Sequence, residues 1–203
     1  MAKPISIYEL EGGPNQFLSP YCWATRFAVA HKGLPIETIR WKLNEGDKIA
    51  FSNQGLVPVI VDGNKGGKWK WFITGGPLGV LFKIIFLDLF NAQSPELKPW
   101  FRETREAKFG AKLEEIAVGE AGVPDFRKAL EPMRQLLAEY PYFGGMDGPS
   151  YADHFVAGMF MAGYALSPVK LLEKDDVIYA WRERMMAAYS GICKNAVGHP
   201  ESL

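Results

Sequence analysis

Apolar and polar residues alternate from Pro4 to Leu10 around Ile5 and Ile7, which is the period of a strand. From Tyr21 to Lys32 the period lengthens, with Trp23, Phe27 and Ala30 at helical spacing and Gly33 where a C-terminal cap belongs. Pro35 to Trp41 returns to strand character, so a parallel pair joined by a right-handed crossover is predicted. Val57 to Val61, "VPVIV", reads as a third strand. Turn formers fill Asp62-Gly63-Asn64-Lys65-Gly66-Gly67 before Lys68-Trp69-Lys70-Trp71-Phe72-Ile73, which predicts an antiparallel hairpin.

After Gly75-Gly76-Pro77 the strand period disappears. Phe109, Leu113 and Ile116 predict one amphipathic helix, Phe126, Leu130, Met133 and Leu137 another, and Val177 to Tyr189 a last one. Gly79 to Phe90 is apolar nearly all round, yet Lys83 and Asp88 interrupt it and it falls short of the roughly 20 residues that span a bilayer. A buried helix is the better reading. The expected fold class is therefore α+β over 1–75 followed by an all-α bundle over 76–203.

Two helix starts carry capping signatures. In "SPYCWATRF", Ser19 is an N-cap and Pro20 the first helical residue. This is either a well-capped helix or a reaction site, because free amides and partial positive charge at a helix N-terminus lower a thiol's pKa and hold an anionic sulfur. Ser150 and Asp153 predict a capping box with Asp in the usual Glu place, a folding device before "HFVAGMFMAGYAL". Pro58 removes a ladder donor, so Val57-Pro58 is either a trans start of an edge strand or a cis bond that turns the Val57 backbone toward a ligand near Ser19.

Charge narrows the partners. The 203 residues carry 23 Lys plus Arg and 23 Asp plus Glu, so no basic excess attracts nucleic acid or a membrane surface. A small organic ligand or a protein surface fits better. Cys22 and Cys193 are far apart and nothing in the first residues resembles a secretory signal, which suggests a reducing, cytoplasmic setting. His31, His154 and His199 have no spacing suited to a metal, and no metal is expected. With serine at position 19, Cys22 cannot run a dithiol cycle; it is a buried helix cysteine or, failing that, a monothiol exchange group. Met159, Phe160, Met161 and Tyr164 are core or line an adaptable pocket. Gln54 is a polar ligand contact or a turn stabiliser, and Arg26 supports the first helix or the domain interface.

In order and spacing, the strand, the "SPYCWATRF" helix, the second strand, the "VPVIV" hairpin and the "SYAD" helix resemble a glutathione transferase, most closely the bacterial and fungal etherase-type branch with its "SPY.W.TR" motif. The C-terminal "SPVKLLEKDD" and "YAWRERM" stretches extend the resemblance over most of the chain. It implies a thioredoxin-like domain that binds glutathione, a helical domain that supplies the pocket for a small hydrophobic electrophile, and a homodimer. By the same resemblance Ser19 donates to the glutathione thiolate, and Val57, before a cis Pro58, pairs with its cysteinyl backbone. Tyr21, Cys22 and Gln54 complete the expected contacts. The thiolate would attack an electrophilic carbon, in the etherase-type enzymes an aryl ether carbon with phenolate leaving.

One departure is large. The family has an acidic residue and serine after the fourth strand, within a "DSW.IAEYL" pattern, on a helix that holds the γ-glutamyl end of glutathione. Here Trp69-Lys70-Trp71 runs through Phe72-Ile73-Thr74 into Gly75-Gly76-Pro77, the expected junction if that helix is missing, and Thr74 offers only a hydroxyl. The fold is then a shortened one. Either the Leu78 to Phe90 helix or a partner chain covers the sheet, or the deletion leaves the fold marginal. Losing a charge-assisted bond, worth about 1.5 to 3 kcal/mol, lowers glutathione affinity, and a non-catalytic binding or assembly protein of the same fold is the alternative function.

Overall fold

The structure, a computed structural model, describes residues 4–52, 55–62, 65–67, 76–143 and 147–202. Strand β1 (Ile5–Leu10), helix α1 (Pro20–His31) and strand β2 (Ile36–Trp41) form the expected parallel unit, with Ile5 opposite Ile36 and Leu10 opposite Trp41. A 3₁₀ turn (Gly46–Ser52) leads to β3 (Val59–Asp62) and β4 (Lys65–Gly67), which pair antiparallel. The order across the sheet is β2-β1-β3-β4, with β3 antiparallel to β1. β4 thus lies in the stretch predicted as the turn, because Lys65 to Gly67 pair with β3 directly; the predicted strand Lys68 to Ile73, Thr74 and Gly75 lie outside the described residues.

The alternation along β1 assigns the two faces. Ile5 and Ile7 point under α1 and pack with Val29, Leu34, Ile36 and Ile60. Tyr8 and Leu10 point the other way and meet Trp41, Ile49, Val57 and Val59 beside the 3₁₀ turn. Gly33, at φ +65°, ends α1 as expected, donating its N–H to Ala30.

The second half is helical: α2 (Gly76–Ile84), α3 (Phe86–Asn91), α4 (Lys98–Phe109), α5 (Leu113–Ile116), α6 (Val123–Ala129), α7 (Glu131–Glu139), α8 (Tyr151–Leu166) and α9 (Val177–Gly191). Three expectations are corrected here. Phe109 and Leu113 lie on separate helices, because Gly110 at φ +69° caps α4. Phe126 and Leu137 also lie on separate helices, since Pro132 opens α7 and cannot donate into the turn before it. The apolar run Gly79 to Phe90 is not one helix: it breaks at Ile85, and the two pieces pack on α6, α4 and α5. Among the described residues no helix is long and apolar enough to cross a membrane.

The core of the molecule is α8, with twelve of its sixteen residues buried, Met159, Phe160 and Met161 among them. It runs antiparallel along α1, so that Gly158 meets Pro20 and Ala24 while His154 meets Phe27 and His31. No side chain fits at position 158: a Cβ there would lie 2.3 Å from the Pro20 carbonyl oxygen. The Asp153 carboxylate, fully buried, accepts from Ser150 N–H (2.8 Å), Ser150 O–H (2.6 Å), Phe143 N–H (3.0 Å) and the Trp181 indole (2.8 Å). The expected box is thus a hub that ties the start of α8 to α9.

Candidate glutathione site

The end of β1, the start of α1 and the start of β3 come together at one end of the two central strands. Leu18 N–H donates to the Leu10 carbonyl at 3.0 Å, which brings Ser19 beside the last residue of β1. Tyr8 is paired with Val59 across the antiparallel ladder, and Val57 packs with Leu10 in the cluster below. The Val57-Pro58 peptide bond is cis. Gln54 lies outside the described residues.

Ser19 is buried, extended in backbone (φ −95°, ψ 125°), and its Oγ accepts from Cys22 N–H at 3.3 Å. Its carbonyl accepts from Trp23 N–H at 3.1 Å, and Pro20 has no N–H. Tyr21 therefore carries the amide of this turn left for a ligand among the described contacts. The first turn contains no acidic residue, so the positive end of the helix is not neutralised locally. The Tyr21 ring is half-buried against Phe155 at 5.7 Å, and burial pushes its phenol above the ordinary value. Cys22 is fully buried; burial first, then the Glu9 charge, push its thiol up to about 12, so it stays protonated and its side chain faces core rather than ligand.

Sequence reasoning missed the support beneath this helix. Glu9 is in phase with Ile5 and Ile7, which was the available signal, and it is fully buried under α1. Its Oε2 accepts from Arg26 Nη1 and from Thr38 Oγ1 at 2.9 Å, while Arg26 also donates to Thr38 at 2.8 Å. Burial raises the Glu9 carboxyl to about 7, opposed by the Arg26 charge and the Thr38 bond. The Arg26 guanidinium lies 4.0 Å from the centre of the Phe17 ring, and the Trp23 indole donates to the Phe17 carbonyl at 3.0 Å. Arg26 and Trp23, both on α1, thus fix the loop that delivers Ser19.

A family model for the glutathione S-transferase C-terminal domain matches residues 69–193, more than half of the chain. The chain belongs to the glutathione S-transferase family. Among solved structures, glutathione transferase GSTFuA3 from Phanerochaete chrysosporium is similar with a TM-score of 0.74 over 93% of this chain and 98% of that one, at 19% identity. Glutathione S-transferase CsGST63524 of Ceriporiopsis subvermispora, solved in complex with glutathione, gives a TM-score of 0.69 over 96% and 99% of the two chains, also at 19% identity. At that identity the likeness speaks to fold, and the fold is the glutathione transferase one: a thioredoxin-like sheet unit followed by a helical unit.

β4 ends at Gly67 and α2 begins at Gly76, leaving eight residues, "KWKWFITG", with no Asp or Glu among them. Eight residues make at most about two helical turns.

Proposed function

We propose that this transferase binds glutathione on the 1–75 unit, holds its thiol as the thiolate at the start of α1, and directs the sulfur onto a small hydrophobic electrophile on the 76–203 unit. The observation that carries this reading is Ser19. Its oxygen accepts from Cys22 N–H beside the Cys22 thiol, and its hydroxyl carries a proton that an incoming sulfur can accept at an uncompensated helix end. A sulfur there would gain a hydroxyl donor, the Tyr21 amide and the helix field, each of which favours the anion over the thiol. The lone pair of the thiolate forms the new C–S bond while the leaving group departs with the electrons of the bond that breaks. For an aryl ether that group is a phenolate, which takes its proton from solvent. The "SPYCWATR" motif favours the etherase-type branch and hence an aryl ether. Val57, with Pro58, pairs in this reading with the cysteinyl backbone of glutathione, Gln54 adds a polar contact, and Cys22 acts through its amide on Ser19. A cytoplasmic homodimer is carried over from the family in the same way.

The spacing between β4 and α2 favours a second reading, in which the γ-glutamyl end finds no carboxylate and the fold serves as a binding or assembly module. Calorimetric titration of the folded chain with glutathione separates the two. The first reading expects saturable binding, thiolate absorbance from the bound sulfur, and a turnover that Ser19→Ala lowers about tenfold or more. A folded protein that takes up no glutathione establishes the second.

A further inference from the structure

Three side chains from distant parts of the chain meet at the C-terminal end of α1. His31 ends α1 and is exposed, His154 in the first turn of α8 is buried, and Tyr189 sits where α9 leaves helical geometry. The Tyr189 hydroxyl oxygen is 2.7 Å from His154 Nε2 and 3.1 Å from His31 Nδ1. The two imidazole centres are 5.4 Å apart, and Phe27 stacks on His154 at an interplanar angle of 7°.

A phenol has one proton, so Tyr189 donates to one nitrogen and accepts from the other. His154 Nδ1 is buried without a hydrogen-bond partner among the described residues, and a buried orphan N–H is rarer than a buried orphan acceptor. The assignment that satisfies the network has His154 donating from Nε2 to the phenol, and the phenol donating to His31 Nδ1.

Tyr189 and Ser190 have φ of +54° and +59°, the left-handed region that non-glycine residues keep only when their surroundings hold them there. Just beyond, the chain turns back over the body. Val197 N–H donates to the Asn15 carbonyl at 3.0 Å and His199 N–H to the Tyr164 carbonyl at 2.8 Å. A Cβ at Gly198 would lie 2.4 Å from the Tyr164 oxygen, so the segment is pressed closely onto α8. Asn15 belongs to the loop that leads to Ser19.

We propose that His31, His154 and Tyr189 form an acid-sensitive latch that holds segment 189–202 against α8 and the loop before Ser19, and that protonation of the histidines opens it. A second proton on His154 would create an N–H at the buried, partnerless Nδ1. Burial, and then the neighbouring His31, hold this ring down to about 4, with Asp153 pulling the other way. A second proton on His31 would put an N–H against the Tyr189 hydroxyl proton and force the phenol to turn. Of the other ionisable groups nearby, Asp153 on α8 is engaged by four donors, Tyr142 stands in the segment before α8, and burial raises the phenols of Tyr151 on α8 and of Tyr189 itself, which keep their protons in acid. His199 Nδ1 and Glu201 Oε1 lie 3.3 Å apart within the segment, a separate contact between ionisable groups. The latch stands whether or not glutathione binds.

Hydrogen exchange of the full chain carrying His199→Asn, corrected for intrinsic rates, tests it between about pH 7 and about pH 4.5. Protection of 193–202 should fall about tenfold or more relative to α8 on acidification. Tyr189→Phe should show that loss already at neutral pH, and His154→Gln, which keeps an N–H donor but cannot titrate, should flatten the pH dependence. Loss of protection in step with α8, or an unchanged pH dependence in His154→Gln, overturns the latch. If both variants fail to fold, ring resonances of His31 and His154 that titrate in the otherwise native chain while the 193–202 amides stay unmoved overturn it as well.

Discussion

The two ends of α1 are held in opposite ways. Both ends pack on α8, but at the N-terminal end the side-chain hydrogen bonds are local: Ser19 accepts from an amide three residues on, and Trp23 reaches back six residues to Phe17. At the C-terminal end the contacts are remote, His31 meeting Tyr189 from 158 residues away and His154 from α8. The difference extends to the buried ionisable groups. Glu9, beneath the helix through Arg26, is raised to about 7, whereas His154 at the far end is lowered to about 4. A local cap depends on residues a few positions apart, whereas a remote cluster forms only when the tertiary structure is intact.

The largest test removes the anchor of the remote end. Asp153→Ala leaves the Ser150 and Phe143 amides and the Trp181 indole without their acceptor, and chemical denaturation should show about 3 to 5 kcal/mol lost. The next concerns pH. The His154 pKa is depressed from 6.5, so its contribution is intact above pH 6.5 and is lost as pH falls toward about 4. The Glu9 pKa is raised from 4.5, so its contribution is intact below pH 4.5 and is lost as pH rises toward about 7. Each is on the order of 3 kcal/mol, and the slopes oppose one another. Stability measured against pH should therefore change little between these limits in the unmodified chain. It should rise with pH in Glu9→Gln and fall with pH in His154→Gln.

Smaller effects probe the N-terminal end. Gly158→Ala drives a methyl into the Pro20 carbonyl and the Ala24 amide, and should cost about 1 to 3 kcal/mol of stability while weakening glutathione binding by moving the first turn of α1. Ser19→Ala should cost about 1 kcal/mol as a lost cap, and Ser19→Gly only a few tenths. Because both lack the hydroxyl, transferase activity should fall equally in the two variants. Activity that follows stability instead would make Ser19 a cap and nothing more.

Much of this was legible in the chain. The strand and helix periods gave β1, α1, β2 and β3, since one face of each is buried and the alternation records it, whereas β4 formed from residues read as a turn. Ser19 was readable because a cap is a contact between near neighbours. Glu9 was overlooked although it sits in the inward phase of β1, because an acid there looks like an exception until Arg26 and Thr38 are seen to meet it. The helix breaks at Gly110 and before Pro132 were also overlooked, since apolar spacing continues across them while backbone geometry does not.

Sequence by itself determined the order of elements, the capped start of α1 and the absence of an acidic residue between Gly67 and Gly76, all properties of residues within a few positions of one another. Only the tertiary structure decided that α2 docks on α6, that Gly158 admits the first turn of α1, and that two histidines 123 positions apart (154 minus 31) share one phenol. The physical reason is that periodicity and capping are encoded by neighbours, whereas helix docking depends on which surfaces leave the fewest voids and unpaired polar atoms, a property of the whole chain.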